Sequence, residues 1–224
     1  DELVECFGAD PRRISVVPCG VDEEWLSPPS PEAVAATLAA NGLRPGYFLF
    51  VGTLQPRKNV ERVLDAWLAL PAAVRKERQL VIVGAQGARS GQLAARLQAA
   101  AANGENLAWL NKLTSAAALR EVYAGAGVFV FPSLYEGFGI PVVEAFASSV
   151  PVVASNASSL PEVSQGAALE VDPLDTGAIG DAMLALVRDD ALRARCVQAG
   201  RRRAEQLTWR HTARLTADVY RAVL

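Results

Sequence analysis

The stretch VFVFPSLYEGFGIPVVEAFASSVPVV, residues 128–153, decides the fold of this chain. Its first and last runs, VFVF and VPVV, lack polar alternation, as is typical of strands covered on both faces of a parallel sheet. Between them, Gly137 and Gly139 suit a tight turn, and Pro141 suits the first position of a helix, where its missing N–H removes no hydrogen bond. The stretch therefore predicts a strand–helix–strand unit of a parallel sheet.

Two carboxylates lie within this unit. Glu144 falls about one turn into the predicted helix, where a negative charge suits the helix dipole, whereas folding alone gives no reason for Glu136. Gly137 and Gly139 would let the backbone approach a ligand, and free N–H groups at the helix start would form an anion cradle. Carboxylates accept hydrogen bonds from sugar hydroxyls. The stretch therefore predicts either a turn without a ligand or a site for a molecule with phosphates and hydroxyl-rich rings.

The rest of the chain repeats the alternation of strands and helices. Six apolar runs are strand candidates: residues 47–52, 79–84, 106–110, 128–131, 150–155 and 167–171. Helical patterns lie between them, with Asn59, Ser90 and Ser115 as expected N-caps. This order predicts a doubly wound, Rossmann-like α/β fold, with a parallel six-stranded sheet and helices on both faces. Such sheets bind ligands beyond the carboxyl ends of their strands.

The two ends of the chain break this pattern. SPPSP, residues 27–31, has the composition of a linker, and the preceding residues have little periodicity. From Asp175 onward, three helical stretches follow one another, and Thr208 is the expected cap of the last. The chain opens on DELVECFGADPRR without a methionine, so we expect it to be a piece of a longer protein.

Composition excludes several classes of protein. The 224 residues are 51% hydrophobic, enough for a buried core, and the net charge of −2 argues against nucleic-acid binding. The three cysteines are widely spaced without a C-x-x-C pair, which favours a reducing, cytoplasmic location. No apolar run is long enough to span a bilayer, and no signal peptide is visible.

The loop after the first strand, VGTLQPRKN, carries a second candidate site. It lacks the G-x-G-x-x-G pattern of dinucleotide-binding folds. Instead it holds Gly52, Thr53, Arg57 and Lys58 just before a helix. Two cations at a helix start oppose the helix dipole, and a bound anion would resolve that conflict. The alternative is a solvated pair of cations.

These motifs together resemble one family. The block PSLYEGFGIPVVEAFASSVPVVASNASSLPEV, residues 132–163, resembles the signature of the retaining glycosyltransferases of family 4, or group 1, which have the two-domain GT-B fold. The hallmark of that family is two glutamates separated by seven residues, matched by Glu136 and Glu144. Residues 48–59, 171–175 and 207–213 resemble further landmarks of its C-terminal domain. ISVVPCGVDEEWL, residues 14–26, resembles the segment that joins the two domains.

The resemblance implies that this domain holds a sugar nucleotide as donor and needs no metal or other cofactor. Glu144 would bind the ribose hydroxyls, Glu136 the transferred sugar, and Lys58 the diphosphate. The loop after the third strand would meet the base. The donor-binding set is therefore expected to be Gly52, Thr53, Arg57, Lys58, Asn111, Lys112, Leu113, Glu136, Gly137, Phe138, Gly139, Ile140 and Glu144. Of these, Glu136, Lys58 and Arg57 are expected to act in catalysis. Transfer would retain the anomeric configuration, with the leaving phosphate taking the proton of the acceptor.

One departure from the family concerns the cations. Many relatives have arginine where Thr53 stands, and we expect Arg57 to supply the missing charge. The form TLQPRKN resembles a mannosyltransferase-like subgroup, which makes GDP-mannose the expected donor. The acceptor would be a glycan or a lipid-linked sugar, bound by the N-terminal domain of the longer protein. That protein is expected in the cytoplasm, associated peripherally with the inner face of the membrane.

The expected organisation follows from the same resemblance. Residues 1–30 would be the interdomain segment, residues 31–208 the nucleotide-sugar-binding domain and residues 209–224 a C-terminal helix. Without the N-terminal domain, the chain would bind a donor and transfer no sugar. Two alternatives stay open: another GT-B enzyme such as a phosphorylase or epimerase, and a non-catalytic nucleotide-binding α/β module.

Overall fold

A single parallel sheet forms the centre of the computed structural model, which describes residues 2–223. Its order is β3-β2-β1-β4-β5-β6, and every neighbouring pair is parallel. The strands are β1 Tyr47–Val51, β2 Leu80–Val83, β3 Leu107–Leu110, β4 Ala126–Phe131, β5 Val152–Ser155 and β6 Leu169–Val171. The predicted six-stranded α/β fold is confirmed. Because the strand order reverses between β1 and β4, the loops after these two strands flank the position where such sheets bind ligands.

Helices pack around this sheet. They are α1 Glu2–Phe7, α2 Pro31–Ala40, α3 Val60–Ala69, α4 Ala72–Glu77, α5 Gly91–Ala102, α6 Ala116–Gly125, α7 Ile140–Ala147, α8 Leu160–Ser164, α9 Thr176–Arg188, α10 Asp190–Gln206 and α11 Trp209–Val223. Short 3₁₀ helices cover Pro11–Arg13, Glu23–Leu26 and Pro56–Lys58. Helix α3 packs against α9, α7 against α10, and α2 against α6.

Aromatic side chains of β1 and β4 hold the centre of the sheet together. The Phe131 ring stacks on Phe50 and on Phe129, with centroid separations of 5.8 and 5.6 Å. All three side chains are fully buried, and burial of one such side chain stabilises a fold by roughly 1.5–3 kcal/mol. This packing fixes the ends of the two strands from which the site loops emerge.

Two of the predicted helix caps are confirmed. The Ser115 hydroxyl accepts a hydrogen bond from the N–H of Ala118, at 3.3 Å, at the start of α6. The Thr208 hydroxyl accepts one from the N–H of His211, at 3.2 Å, at the start of α11. Each satisfies a donor that the first helical turn leaves free.

The other two predicted caps, Asn59 and Ser90, occupy the N-cap positions of α3 and α5, but their side chains do not bond to a helix N–H. Asn59 precedes α3 in the left-handed conformation, with φ of 59°, and its side chain caps no helix N–H. Its amide instead donates to the carbonyl oxygens of Pro132 and Pro173, at 2.9 and 2.7 Å. The Ser90 hydroxyl bonds to the backbone of Gly87. In both residues a tertiary or loop contact replaces the local one that the sequence pattern indicated.

The two ends of the described chain contact each other. Val21 N–H donates to Leu207 O at 2.9 Å, and Trp209 N–H donates to Val21 O at 3.3 Å. The Thr212 hydroxyl donates to Pro18 O at 2.8 Å. The expected interdomain segment therefore lies against the start of α11, and the proposed division of the chain into three parts stays a prediction.

Helix α11 buries none of its described residues, and Tyr220 and Val223 are 65% and 75% exposed. Between residues 2 and 223, no helix has both the length and the apolar character required to cross a bilayer.

Candidate functional site

The candidate site lies at the carboxyl ends of β1 and β4. The loop after β1 supplies residues 52–59, the loop after β4 supplies residues 132–139, and the loop after β5 adds residues 156–159. The loop after β3, with residues 111–113, emerges at the same edge of the sheet, two strands from β1. The parallel sheet thus brings together loops that are far apart in sequence.

Lys58, Arg57 and Glu136 form one ion cluster. Lys58 Nζ lies 2.6 Å from Glu136 Oε1, and Arg57 Nη1 lies 3.0 Å from Glu136 Oε2. Arg57 Nη1 also donates to Tyr135 O at 3.0 Å. The Lys58 ammonium lies 5.0 Å from the centroid of the Phe131 ring, within the range of a cation–π contact. The structure thus joins all three residues predicted to act in catalysis.

Burial differs sharply within this cluster. The side chains of Lys58 and Glu136 are 11% and 8% exposed, whereas that of Arg57 is 46% exposed. Glu136 does not lie at the exposed tip of the loop after β4. Tyr135 and Gly137 form the exposed tip, and the carboxylate turns inward to the two cations.

The cluster changes the argument for a bound anion. From the sequence, the charges of Arg57 and Lys58 lacked a partner, but Glu136 supplies one negative charge to the two positive ones. One positive charge therefore remains in excess at the carboxyl edge of the sheet. An arriving anion would share these cations with Glu136 rather than meet them free.

The backbone around Glu136 is held by two serines of the loop after β5. Glu136 N–H donates to Ser158 Oγ at 3.0 Å. The Ser159 hydroxyl lies 3.0 Å from both Glu136 O and Phe138 O and donates to them. These serines are neighbours of the candidate site that the sequence analysis missed. Their signal was a polar run at the end of another parallel strand, where the topology gathers ligand-binding loops.

Gly137 and Gly139, in the loop after β4, differ in whether the fold requires a residue without a side chain. Gly139 has φ of 104°, and a Cβ there would lie 2.5 Å from Leu160 Cδ2, so the fold itself requires glycine. A Cβ at Gly137 would meet no atom within 4 Å. Since no neighbour demands glycine at position 137, the open space beside it is available to a ligand.

Unpaired backbone donors surround the start of α7. This helix begins at Ile140, so Pro141 takes its second position and not the predicted first. Within residues 2–223, no hydrogen bond is donated by the backbone N–H groups of Gly137, Phe138, Gly139 and Ile140. Free N–H groups at a helix N-terminus form a ready site for an anion.

Glu144 lies apart from this cluster, on α7. Its Oε2 accepts a hydrogen bond from the Tyr123 hydroxyl at 3.0 Å. Burial raises the pKa of Glu144, and the hydrogen bond from Tyr123 lowers it in part. Burial, together with the nearby Glu144 charge, raises the pKa of Tyr123 well above its ordinary value, so the phenol stays a hydrogen-bond donor.

Thr53 and Gly52, two further predicted site residues, lie at the edge of the candidate site. Thr53 is exposed, and its methyl group lies beside Gly87 of the loop after β2. Gly52 closes β1 with φ of 153°, and a Cβ at Gly84 would lie 2.1 Å from Gly52 O.

The predicted base-binding residues lie further along this edge. Asn111 and Lys112 are exposed and Leu113 is partly buried. In the described part of the chain, no ion pair or side-chain hydrogen bond joins these three residues to the Glu136 cluster.

Two open cavities meet at the loop after β4. One, of about 410 Å³, is lined by Tyr135, Glu136, Gly137, Ser158 and Glu162, among others. The second, of about 450 Å³, lies between this loop, the segment from Val16 to Cys19, and Arg203 of α10. A molecule of the size of a sugar can therefore reach the face of Glu136 and Gly137.

Comparison with known proteins identifies the family. A family model described as "Glycosyl transferases group 1" matches residues 39–203, so the chain belongs to the group 1 glycosyltransferases. It is 33% identical over 223 residues to O-antigen chain mannosyltransferase B of Escherichia coli, covering 98% of this chain and 57% of that relative. It is also 33% identical over 229 residues to alpha-maltose-1-phosphate synthase of Mycobacterium tuberculosis, covering 96% and 58%.

Solved structures agree on the fold. The sucrose-phosphate synthase of Thermosynechococcus elongatus matches with a TM-score of 0.78 and 26% sequence identity, over 93% of this chain and 52% of that one. The structural neighbours are GT-B glycosyltransferases, which confirms the predicted family and fold. The chain spans little more than half the length of the two curated relatives and of this structure.

Proposed function

We propose that this chain is the donor-binding half of a retaining hexosyltransferase, which moves a hexose from a nucleoside-diphosphate sugar to a glycan or lipid-linked acceptor. The observation that carries the proposal is the Lys58–Glu136–Arg57 cluster beside the unpaired N–H groups at the start of α7. Both features favour an anion, and both lie where the strand order reverses. The open cavity at Gly137 leaves room for the attached sugar.

The diphosphate is assigned to the cations and the amides. The cluster has one excess positive charge, which a diphosphate neutralises, and Lys58 can donate to a phosphate oxygen while it stays near Glu136. The N–H groups between Gly137 and Ile140 supply uncharged donors to the same group. No metal ion is needed in this scheme. We therefore expect donor affinity to be unchanged by EDTA.

The two glutamates are assigned to the two hydroxyl-rich parts of the donor. Glu136 faces the cavity beside Gly137 and would accept hydrogen bonds from the transferred sugar. Glu144 would accept them from the ribose, and Asn111, Lys112 and Leu113 would meet the base. Likeness to the O-antigen chain mannosyltransferase B supports mannose as the sugar, and we propose GDP-mannose as the donor that carries it.

The transfer step replaces one bond at the anomeric carbon. The bond from that carbon to the β-phosphate oxygen breaks, and the bond to the acceptor oxygen forms on the same face. The leaving phosphate takes the proton of the acceptor hydroxyl, and Lys58 and Arg57 stabilise the negative charge that develops on it. This step needs an acceptor held in register with the donor. Since the relatives are nearly twice as long, we propose that this chain alone transfers no sugar.

The proposed setting is the cytoplasm, with the longer protein peripherally associated with the inner face of the membrane. Cys6, Cys19 and Cys196 are all free thiols, which suits a reducing compartment. A lipid-linked acceptor would be reached at the membrane surface. Fractionation of cells that produce the longer protein tests this setting, which would be wrong if the protein were recovered outside the cytoplasmic and membrane fractions.

Titration calorimetry with GDP-, UDP- and ADP-sugars and with the bare diphosphates tests donor binding. We expect GDP-mannose to bind best and to raise the melting temperature through its binding to the native state. The Glu136→Ala variant should lose the preference for the sugar nucleotide over the bare diphosphate, and it should bind the bare diphosphate more tightly than the wild type does, because Glu136 no longer shares Lys58 and Arg57. Glu144→Ala should lose affinity for both ligands, since both contain ribose.

Three outcomes would contradict parts of the proposal. The absence of binding by any nucleotide would favour the alternative of an α/β module with another role. Equal losses for both ligands in both variants would remove the division of labour between the two glutamates. Sugar transfer by the chain alone, measured with labelled donor and a panel of acceptors, would show that a second domain is not required.

A further inference from the structure

Glu144 is held by one oxygen only. Its Oε2 accepts the 3.0 Å hydrogen bond from the Tyr123 hydroxyl. Within residues 2–223 its other oxygen, Oε1, has no hydrogen-bond partner and is not among the buried unpartnered atoms, so solvent reaches it. Oε2 of Glu144 is therefore fixed inside the protein, whereas Oε1 has no partner and keeps some exposure to solvent.

The Tyr123 ring has little freedom to move. It is fully buried, and Trp25 packs against it edge to face with a centroid separation of 5.3 Å. Phe129 of β4 packs on it at 5.4 Å. The hydroxyl also lies 3.3 Å from Pro141 O, at the first turn of the helix that carries Glu144. Its position is thus set by α6, β4 and the 3₁₀ helix Glu23–Leu26 together.

We propose that Tyr123 is a positioning residue for donor binding: it holds Glu144 Oε2 so that Oε1 faces the ribose hydroxyls. This inference rests on the proposed function, which assigns Glu144 to the ribose. A glutamate side chain has three rotatable bonds, and fixing its end beforehand removes part of the entropy lost when the ligand binds. A supporting residue that fixes a ligand-contacting side chain in this way increases affinity without touching the ligand.

Trp25 extends this arrangement to the segment before α2. Arg120 of α6, three residues before Tyr123, donates to the carbonyl oxygens of Glu24 and Ser27, the latter at 2.8 Å. Arg201 of α10 donates to Leu26 O, at the end of the same 3₁₀ helix, at 3.4 Å. The 3₁₀ helix that carries Trp25 is therefore anchored to α6, the helix of Tyr123. This anchoring keeps Trp25 packed against the Tyr123 ring.

The alternative role for Tyr123 is packing alone, with a hydroxyl that merely finds an acceptor. Affinities for GDP and for 2′,3′-dideoxy-GDP, which lacks both ribose hydroxyls, separate the two roles. We expect Tyr123→Phe to weaken GDP binding about threefold to tenfold, the effect of one net hydrogen bond. Its affinity for the dideoxy compound should equal that of the wild type. Loss of packing would weaken both compounds equally.

Tyr47→Phe is the matched control. Tyr47 is also fully buried, and its hydroxyl donates to Val122 O, adjacent to Tyr123 in sequence, without contacting Glu144. This variant should keep the wild-type preference for GDP. In a Glu144→Ala background, Tyr123→Phe should have no further effect on GDP affinity, because a residue that acts through Glu144 has nothing left to position.

Each result supports or overturns the inference. A Tyr123→Phe variant with the full wild-type preference for GDP overturns it, as does an equal loss for both compounds. If that variant does not fold, Glu144→Asp withdraws the carboxylate from Tyr123 while leaving the ring packed, and an unchanged preference overturns the inference as well. If the wild type prefers GDP and Tyr123→Phe keeps the same preference, the inference fails and the proposed function still holds. A wild type that binds neither compound, and neither UDP nor ADP, overturns both.

Discussion

The loop after β4 and the first turns of α7 each present one carboxylate, and their surroundings are opposite. Glu136 in the loop is 8% exposed and contacts two cations, Lys58 at 2.6 Å and Arg57 at 3.0 Å. Glu144 on the helix has one neutral partner, the Tyr123 hydroxyl at 3.0 Å, and burial raises its pKa. The two residues are separated by only seven others in sequence. Yet the main feature around the Glu136 carboxylate is positive charge, and the main feature around the Glu144 carboxylate is burial away from water.

The difference explains how one short segment can serve two parts of a ligand. Glu136 moderates a cationic cluster that keeps one excess positive charge, a condition that suits phosphate. Glu144 brings a carboxylate oxygen into a partly apolar place, where a hydrogen bond from a sugar hydroxyl is stronger than in water. If the two surroundings differ in this way, substitutions at the two carboxylates and at their partners should differ in their effects on stability, on ligand affinity and on pH dependence.

The largest expected effect is on stability in Glu136→Ala. This change leaves the nearly buried Lys58 ammonium without its carboxylate, and breaking a buried ion pair in this way costs roughly 3–5 kcal/mol. Glu144→Ala should cost less, about 1 kcal/mol, because the Tyr123 hydroxyl keeps Pro141 O as an acceptor. Guanidinium unfolding of both variants measures the difference.

A ligand supplies the control for that prediction. Added diphosphate should restore more stability to Glu136→Ala than to the wild type, because it provides the anion that Lys58 has lost. Equal destabilisation by the two alanine substitutions would contradict the contrast between the two carboxylates.

The second effect is on affinity in Lys58→Ala. If Lys58 makes a charge-assisted hydrogen bond to the diphosphate, its removal should weaken diphosphate binding by about 1–3 kcal/mol. Lys76→Ala is the matched control, since Lys76 is an exposed lysine of α4 outside the site. Calorimetric titration of both variants measures the loss, and an unchanged affinity in Lys58→Ala would remove the lysine from the phosphate site.

The sequence predicted the fold well because its signals were local. Six apolar runs without polar alternation became six parallel strands, with ends shifted by at most two residues. Ser115 and Thr208 lie directly before their helices and cap them. In each case the pattern and the structure depend on residues close together in the chain.

The site was predicted only in part because its contacts are long-range. Resemblance to the family gathered Lys58 and Glu136 into one set, but no local signal indicated that residues 78 apart in sequence would pair with each other. Asn59 matched the pattern of a cap, yet its amide bridges the loops after β4 and β6. Tyr123 lies on α6, and only its tertiary contact with Glu144 of α7 reveals the polar partner of its hydroxyl.

The third effect concerns pH and Glu144→Gln. Because the folded state raises the pKa of Glu144 above its ordinary 4.5, the folded protein binds this proton more tightly than the unfolded chain. The stability that Glu144 contributes is full below pH 4.5 and is lost as the pH rises through the folded pKa. The neutral glutamine lacks this loss and still accepts the Tyr123 hydrogen bond.

The stability of Glu144→Gln relative to the wild type should therefore increase as the pH rises from 4 to 7. Its affinity for ribonucleotides should fall. Unfolding by guanidinium at the two pH values measures the gain, and the other carboxylates cancel because both proteins share them. A stability difference that stays constant with pH would mean that burial does not govern this carboxylate.

The smallest expected effect is that of Arg57→Ala on diphosphate affinity. From the sequence, Arg57 is expected to supply the charge that is missing at Thr53, where many relatives have arginine. The structure argues for a smaller share, because the Arg57 side chain is 46% exposed and Lys58 only 11%. Exposed ion pairs contribute about 0.2–1 kcal/mol, and salt screens them.

Salt dependence separates the two cations. Diphosphate affinity in Arg57→Ala should be reduced at low ionic strength, by less than in Lys58→Ala, and should approach the wild-type value as salt is added. The loss in Lys58→Ala should persist, because the buried lysine is less screened. Titrations of both variants at about 0.01 M and 1 M salt, where the Debye length falls from about 30 to 3 Å, measure this. If the two losses were equal and equally insensitive to salt, Arg57 would be a full phosphate ligand that moves inward when the donor binds.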